Sequence, residues 1–270
     1  MRPETNDRND LILDLLIKEY IETAEPVGSR TLTKRFDLGL SPASIRNVMA
    51  DLEDQGFLKQ PHTSAGRVPT DRGYRYWVDS LMEPEELTEE ECRLIHEEVS
   101  RARTIEALAA RICRLISGLT GNAVVVYVKN LKRVSFLNHL LEELVHAQKL
   151  ADFLEEEPEL FIDGTSRILD QPEFRDIEKM RHLLRAFDEK LNILQALMRA
   201  EEDAAVHVRI GHENEMGVFE DVSLVTKDYH LGPTPIGGVA VVGPTRMRYP
   251  KVVSVVNYVA DTVSDAISRF

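Results

Sequence analysis

The sequence of this 270-residue chain predicts an α+β fold in two parts. Apolar residues at helical spacing, separated by Pro, Gly and Ser, predict four helices and one polar hairpin within residues 1–82. Short β-branched runs alternate with helical segments in the remainder, and a last helical segment ends the chain. The length allows two parts with sizeable cores, and a hydrophobic fraction of 43% is ordinary for a soluble globular protein.

The first part begins with helices predicted over residues 6–22 and 29–36, although Glu19 interrupts the apolar stripe of the first. The third helix has the clearest signals. Ser41 can cap its free amides, Pro42 is tolerated at its first position, and Gly56 suits its end. Its predicted buried stripe is Ile45, Val48, Met49 and Leu52. Residues 61–69 then form the loop between two short strands, and a residue of the cap-forming type, Thr70, precedes a fourth helix.

The second part starts with a capping-box pattern at Thr88 and Glu91, which opens a helical stretch up to Leu119 with a break expected near residues 103–104. The apolar stripe of this stretch fits a dimer seam and packing on its own sheet equally well. Strands are predicted at 122–128, 133–137, 205–210, 222–226 and 238–242, a strand or turn at 161–165, and helices at 138–153, 173–200 and 251–270.

The charge is unevenly distributed along the chain. The net charge of −13 argues at first against a nucleic-acid partner. Residues 26–76, however, carry 8 Lys and Arg against 5 Asp and Glu, a local net charge of +3. The local field, rather than the total charge, steers binding to phosphate. An ordinary solvated surface also accounts for a charge of this size, so the charge alone does not decide the partner.

A helix, a turn, a second helix and a hairpin in this order are the parts of a winged helix-turn-helix, in which the second helix enters the major groove of DNA. Because the apolar stripe of the third helix points inward, Ser44, Arg46 and Asn47 point outward as candidate base readers. The candidate phosphate contacts in the hairpin are Lys59, His62, Thr63, Ser64 and Arg67, with Thr70, Arg72 and Arg75 beside them. Winged helices also serve as protein-binding modules, so the pattern favours DNA binding without excluding a protein partner.

The sequence contains no pattern for catalysis, a metal or a cofactor. It has no G-x-S-x-G, no phosphate-binding G-x-x-x-x-G-K-[ST], and no His or Cys pairs at metal-ligand spacing. Arg246 and Arg248 could bind an anion, but a solvated turn is the favoured interpretation. Two cysteines imply no disulfide framework, and no apolar run is long enough for a membrane span. We therefore expect a cytoplasmic protein that is not an enzyme and has no cofactor.

Five blocks of the sequence closely resemble the HrcA family, the heat-inducible transcription repressors of bacteria. They lie at residues 40–81, 164–174, 208–215, 223–229 and 238–260, in the same order as in the family. The resemblance implies a winged-helix domain, a GAF-like domain and a dimerising insert. It further implies a homodimer that binds an inverted-repeat operator in double-stranded DNA, represses chaperone operons and is kept active by the chaperonin.

The resemblance also divides the chain. It implies a winged-helix DNA-binding domain at residues 1–82, and a linker helix with the start of the GAF-like domain at 83–137. It further implies a helical insert at 138–203, which is the candidate dimerisation region, and the rest of the GAF-like domain at 204–270. The stretch between Val134 and Ala151 is shorter than in full-length relatives. This departure keeps open an alternative function, a ligand-sensing or protein-binding regulator whose winged helix no longer binds DNA.

Overall fold

The computed structural model describes residues 7–128, 158–188, 205–214 and 222–267. Within them the fold is α+β, as predicted, and both sheets are antiparallel. The helices are α1 (Asp7–Thr23), α2 (Ser29–Arg35), α3 (Pro42–Asp54), α4 (Asp71–Ser80), α5 (Glu89–Ser100), α6 (Ile105–Thr120), α7 (Thr165–Leu169), α8 (Ile177–Asp188) and α9 (Tyr249–Ile267). The strands are β1 (Leu58–Lys59), β2 (Val68–Pro69), β3 (Ala123–Val128), β4 (Glu159–Asp163), β5 (His207–Ile210), β6 (Val222–Leu231) and β7 (Thr234–Pro244). The strand expected at 133–137, the helix at 138–153 and residues 189–200 of the helix expected at 173–200 lie outside the described residues.

The larger sheet has five antiparallel strands in the order β4-β3-β7-β6-β5. Because successive side chains of a strand point to opposite faces, each central strand contributes to two apolar layers. Val124 and Val126 belong to a core cluster shared with α5, α6 and α9, whereas Val125 and Tyr127 belong to a second cluster with residues of α7 and α8. The β-branched runs of the sequence thus become strands that are buried on both faces.

The helical stretch after Thr88 breaks into α5 and α6, as expected near residues 103–104. Thr104 caps α6 by accepting a hydrogen bond from the Ala107 amide at 3.2 Å, and Gly121 ends the helix in the left-handed conformation with φ of 69°. The stripe of α6 that includes Ile112 and Ile116 is buried against the sheet of the same chain. For this part of the stretch, packing on its own sheet is the observed arrangement.

The charged interruption of α1 is explained by an ion pair. The Glu19 side chain is only 5% exposed, and its Oε2 lies 2.5 Å from Nη1 of Arg35 at the end of α2. The two groups are close but not aligned as a hydrogen bond, since Oε2 has no hydrogen-bond partner. A buried charge is tolerated when it is paired, so this glutamate fixes α1 against α2 rather than breaking the helix. None of the helices in the described part of the chain combines the length and the apolar composition of a membrane span.

Candidate nucleic-acid interface

Helix α3 presents its predicted readers on its solvent side. The Ser41 side chain accepts a hydrogen bond from the Ser44 amide at 3.1 Å, which fixes the start of the helix behind Pro42. Arg46 and Asn47 are exposed, while the stripe of Ile45, Val48, Met49 and Leu52 is buried. Ser44 differs from the other two candidates, because it is half-buried and its hydroxyl lies 3.0 Å from that of Ser41.

The tip of the β1–β2 hairpin is exposed and is held by a residue that the sequence analysis did not single out. His62, Thr63 and Ser64 are exposed at the tip, as is Lys59 at its base. The Gln60 amide donates to the carbonyl oxygens of Thr63 at 3.1 Å and of Ala65 at 3.0 Å. These bonds order the hairpin from within, so the tip has a defined shape before any partner binds. A glutamine in a polar loop carries no pattern that would have identified this role.

The base of the hairpin is fastened to the rest of the N-terminal part at two places. Arg67 and Val27 exchange backbone hydrogen bonds of 2.8 and 2.9 Å, which joins the second arm of the hairpin to the α1–α2 loop. A Cβ atom on Gly66 would lie 2.4 Å from the carbonyl carbon and oxygen of Val27, so only glycine fits this approach. The Arg67 guanidinium pairs with Glu53 on α3, with Nε and Nη2 at 2.8 and 2.7 Å from Oε2. The side chain predicted to touch phosphate is thus engaged inside the protein.

A groove of about 560 Å³ lies between α3, the start of α2 and the hairpin. Three arginines, Arg30, Arg46 and Arg67, line it, and no Asp or Glu stands among the described residues of its wall. Arg67 is paired with Glu53, whereas Arg30 and Arg46 make no ion pair with any described residue and are exposed. The groove is therefore positively charged, and we call it the cationic groove. The sequence analysis missed Arg30, because only the bridge of Val27 to Arg67 brings the α2 start beside the hairpin.

The candidates on α4 lie apart from this groove. The guanidinium carbon of Arg72 stands 5.0 Å from the centroid of the Phe57 ring, beside Gly56 at the end of α3, and Arg72 is exposed. Arg75 has other partners: its Nε donates to Glu213 Oε1 at 2.8 Å and its Nη1 to Asp79 Oδ1 at 3.0 Å. These contacts raise the pKa of Arg75, chiefly through Glu213. Arg75 is therefore engaged within the protein, and its direct contact with phosphate stays a prediction.

Arg246 is likewise engaged rather than part of a solvated turn. Its Nη1 donates to the carbonyl oxygen of Ile21 at 2.9 Å, and its Nη2 to the Gln171 side chain at 3.0 Å. Nε also donates to Glu173, and the arginine side chain is only 11% exposed. The prediction of a solvated turn is therefore wrong for Arg246, which joins α1 to the segment between α7 and α8.

The described residues contain no group of three or more His, Cys, Asp or Glu side chains that could hold a metal ion. Cys113 is buried, and burial is the largest cause that raises the pKa of its thiol to about 12. The thiol donates to the carbonyl oxygens of Val124 and Phe161, so it is a protonated core residue rather than a nucleophile.

Comparisons with known proteins identify a family to which the chain is similar. The family model described as HrcA protein C terminal domain matches residues 133–253. The heat-inducible transcription repressor HrcA of Desulfitobacterium hafniense is 32% identical, with 98% of this chain and 98% of the relative covered. The proteins of the same name from Geobacter sulfurreducens and Halalkalibacterium halodurans are 35% and 33% identical, and the matches cover 97% of this chain in both cases.

The alignment with the Desulfitobacterium relative runs over 341 positions, whereas this chain has 270 residues. The relative thus contains residues without a counterpart here. The crystal structure of a hypothetical protein at 2.2 Å resolution is similar in fold, with a TM-score of 0.73, 22% identity and coverage of 98% of this chain and 99% of the other. On the strength of the sequence relatives, which match almost from end to end, this chain belongs to the HrcA family.

Proposed function

We propose that this protein is a heat-inducible transcription repressor that binds double-stranded DNA through a winged helix formed by residues 1–82. The observation that carries the proposal is the cationic groove, where exposed Arg46 lies beside an ordered hairpin and no carboxylate stands among the described wall residues. Family membership supports the same function, since the relatives bear the name heat-inducible transcription repressor. The chain has a net charge of −13, but the field close to the cationic groove, rather than the total charge, steers binding to phosphate.

In this proposal α3 is the recognition helix, and each candidate has a distinct task. Arg46 donates to a guanine edge and Asn47 pairs with an adenine edge, while Ser44 contacts a base or sugar near the helix start. Phosphates are bound by Lys59, His62, Thr63, Ser64 and Arg72. We add Arg30 to this set because it lines the cationic groove together with Thr63 and Ser64. Arg67 keeps a supporting task, since its pair with Glu53 orients the hairpin on α3.

We further propose a homodimer that acts in the cytoplasm on an inverted-repeat operator of chaperone operons, with the chaperonin as a modulating partner. A two-fold dimer requires two half-sites related by the same symmetry. Residues 83–137 and 204–270 would then form a GAF-like domain around the five-stranded sheet, and residues 138–203 an insert that includes the dimer contact. The pairing of β3 with β7, and α5, α6 and α9 on one face of the sheet, support joining residues 83–137 to 204–270. Strand β4, which pairs with β3, adds part of residues 138–203 to the same sheet.

The test is binding of the full chain to a fragment of the organism's own chaperonin promoter, located by footprinting. Arg46→Ala should lower the preference for the operator over an unrelated duplex by about 1–3 kcal/mol, because one bidentate base contact is lost. Arg93→Ala is the matched control, since Arg93 is an exposed helical arginine of α5 paired with Glu90 and Glu97.

Two outcomes would contradict the proposal at different levels. An unchanged operator preference in Arg46→Ala would show that α3 does not face the bases. Failure of the unaltered chain to bind any promoter fragment would favour the alternative, a regulator that binds a ligand or a protein without contacting DNA.

A further inference from the structure

Helix α4 belongs to two parts of the molecule at once. Its buried side carries Tyr74 and Trp77, whose ring centroids lie 5.9 and 6.4 Å from that of Tyr249 at the start of α9. The Tyr249 hydroxyl donates to the Thr245 carbonyl oxygen at 2.7 Å and lies 2.7 Å from the Ser223 hydroxyl. An aromatic centre thus joins α4 to the C-terminal part.

A half-buried side of α4 makes a second set of contacts with the C-terminal part. Nε of Arg75 donates to Glu213 at 2.8 Å and Nη2 donates to the other carboxylate oxygen, so the pair is bidentate. One turn earlier, Asp71 Oδ2 accepts from the His212 amide at 3.0 Å and lies 2.7 Å from its ring Nδ1. We call these contacts of Asp71 and Arg75 with the turn after β5 (residues 210–214) the α4 joint.

The turn after β5 is held by hydrogen bonds within itself and to β6. Its Glu213 carboxylate also accepts from the Ile210 amide at 2.8 Å, and the buried Asn214 amide bonds to the carbonyl oxygens of Gly211 and Val222, both at 2.9 Å. Gly211 has φ of +52°, and a Cβ atom there would meet Asp71 Oδ2 at 2.2 Å. The turn therefore forms an ordered surface at the edge of the five-stranded sheet, and the first turn of α4 packs against this surface.

The same N-terminal end of α4 is also bonded to the end of the recognition helix. The Thr70 hydroxyl, which caps α4, donates to the Gly56 carbonyl oxygen at 2.7 Å, directly after α3. A Cβ atom on Gly73 would lie 2.2 Å from the Phe57 carbonyl oxygen, so the two backbones are in contact. A continuous path of fixed contacts runs from the sheet edge through the turn, Asp71 and Arg75, and Thr70 to the end of α3.

From this path we infer that the α4 joint sets the angle at which the DNA-reading part leaves the sheet, and thereby the half-site spacing that a dimer accepts. The inference rests on the proposed function. In a two-fold dimer the angle of each recognition helix to its own sheet fixes the separation of the two helices, hence the spacing. Asp71, Arg75, His212 and Glu213 are positioning residues, since none of them lines the cationic groove.

Partly exposed ion pairs add little to stability, so the joint can be broken without unfolding the chain. Arg75 and Glu213 are 30% and 33% exposed. In Arg75→Glu, the new carboxylate faces Glu213 and should be repelled by it. We expect unchanged affinity for a single half-site, together with a loss of about fivefold or more in the preference for the natural spacing over spacings changed by one or two base pairs.

Two further variants make the test specific. Arg75→Glu combined with Glu213→Arg restores a pair of opposite charges and should recover the spacing preference. Arg93→Glu makes the same substitution on α5, between Glu90 and Glu97, and should leave the preference unaltered. A loss of half-site affinity in Arg75→Glu would overturn the inference, because Arg75 would then touch DNA directly. An unchanged spacing preference would overturn it as well.

A measurement without DNA separates this inference from the proposed function. Nitroxide labels are attached at two exposed positions, Thr31→Cys on α2 and Asp265→Cys on α9, in a Cys92→Ser background. Pulsed electron paramagnetic resonance then measures the distribution of distances between the labels, which depends on the angle between the two parts. The distribution should broaden or shift in Arg75→Glu and return in the charge-swapped pair. An unchanged distribution contradicts the inference even if the chain binds its operator. A changed distribution in a chain that binds no promoter supports the joint and contradicts the proposed function alone.

Discussion

Two of the three arginines in the cationic groove differ from the arginine of the α4 joint in whether they form an ion pair. In the groove, Arg30 and Arg46 are exposed and have no ion pair with a described residue. In the joint, Arg75 is held by Glu213 and Asp79. The difference comes from nearby carboxylates rather than from the arginines themselves. An unpaired arginine keeps its donors available for phosphate or base edges, whereas a paired one fixes two elements of the protein.

The largest expected effect separates the two regions by stability. Trp77 is fully buried beside the joint, and its Nε1 donates to Asp14 at 2.8 Å. Trp77→Ala should lower the free energy of unfolding by about 3–5 kcal/mol, because it opens a cavity and removes this bond. Urea denaturation followed by circular dichroism measures the change. Arg46→Ala, in the groove, should shift the same quantity by less than about 0.5 kcal/mol. Comparable losses in both variants would mean that the groove is part of the core.

The second prediction concerns salt. Each phosphate contact contributes about 0.9 to the slope of the logarithm of affinity against the logarithm of salt concentration. Arg30→Ala should therefore reduce the slope by about one such step, and Lys59→Ala should do the same. Arg67→Ala should leave the slope nearly unchanged, since its guanidinium is paired with Glu53. A full step lost in Arg67→Ala would restore the prediction from sequence that this residue binds phosphate.

The third prediction uses an unsatisfied hydroxyl at the joint. The Tyr74 hydroxyl is buried without a hydrogen-bond partner among the described residues, which is costly for a polar group. Tyr74→Phe should raise the free energy of unfolding by about 1 kcal/mol. Tyr249→Phe is the matched comparison, because that hydroxyl contacts both Thr245 and Ser223 and its loss should destabilise by about 1 kcal/mol or more. A destabilised Tyr74→Phe would indicate a partner for that hydroxyl.

The smallest expected effect is on the acid dependence of stability. A hydrogen bond from Lys251, followed by one from the Thr88 amide, lowers the pKa of Glu91. A lowered folded pKa stabilises the fold above the unfolded value, about 4.3, and the contribution is lost as the pH falls through the folded value. Glu91→Gln should thus show a shallower decline of unfolding free energy between about pH 7 and pH 3. Exposed Glu86, which has no ion pair with a described residue, is the control, and Glu86→Gln should follow the unaltered profile.

The sequence by itself determined the parts that depend on neighbouring residues. The start of α3 at Ser41 and Pro42, its buried stripe and the exposure of Arg46 and Asn47 follow from capping and from the helical period. The break between α5 and α6 and the strands around β3, β6 and β7 follow from caps, turns and β-branched runs. These signals act over a few residues, so they can be read without the fold.

Only the tertiary structure decided which charged side chains are engaged and which are available. Glu19 pairs with Arg35, Arg67 with Glu53, and Arg75 with Glu213. The last two pairs join residues that are 14 and 138 positions apart along the chain. Likewise, Arg30 gains its place beside the hairpin only through the bridge of Val27 to Arg67. An ion pair depends on a distance of a few ångströms in space, and sequence separation contains no information about that distance. For that reason the sequence predicted helix α3 and its exposed side, whereas the α4 joint was found only in the packed chain.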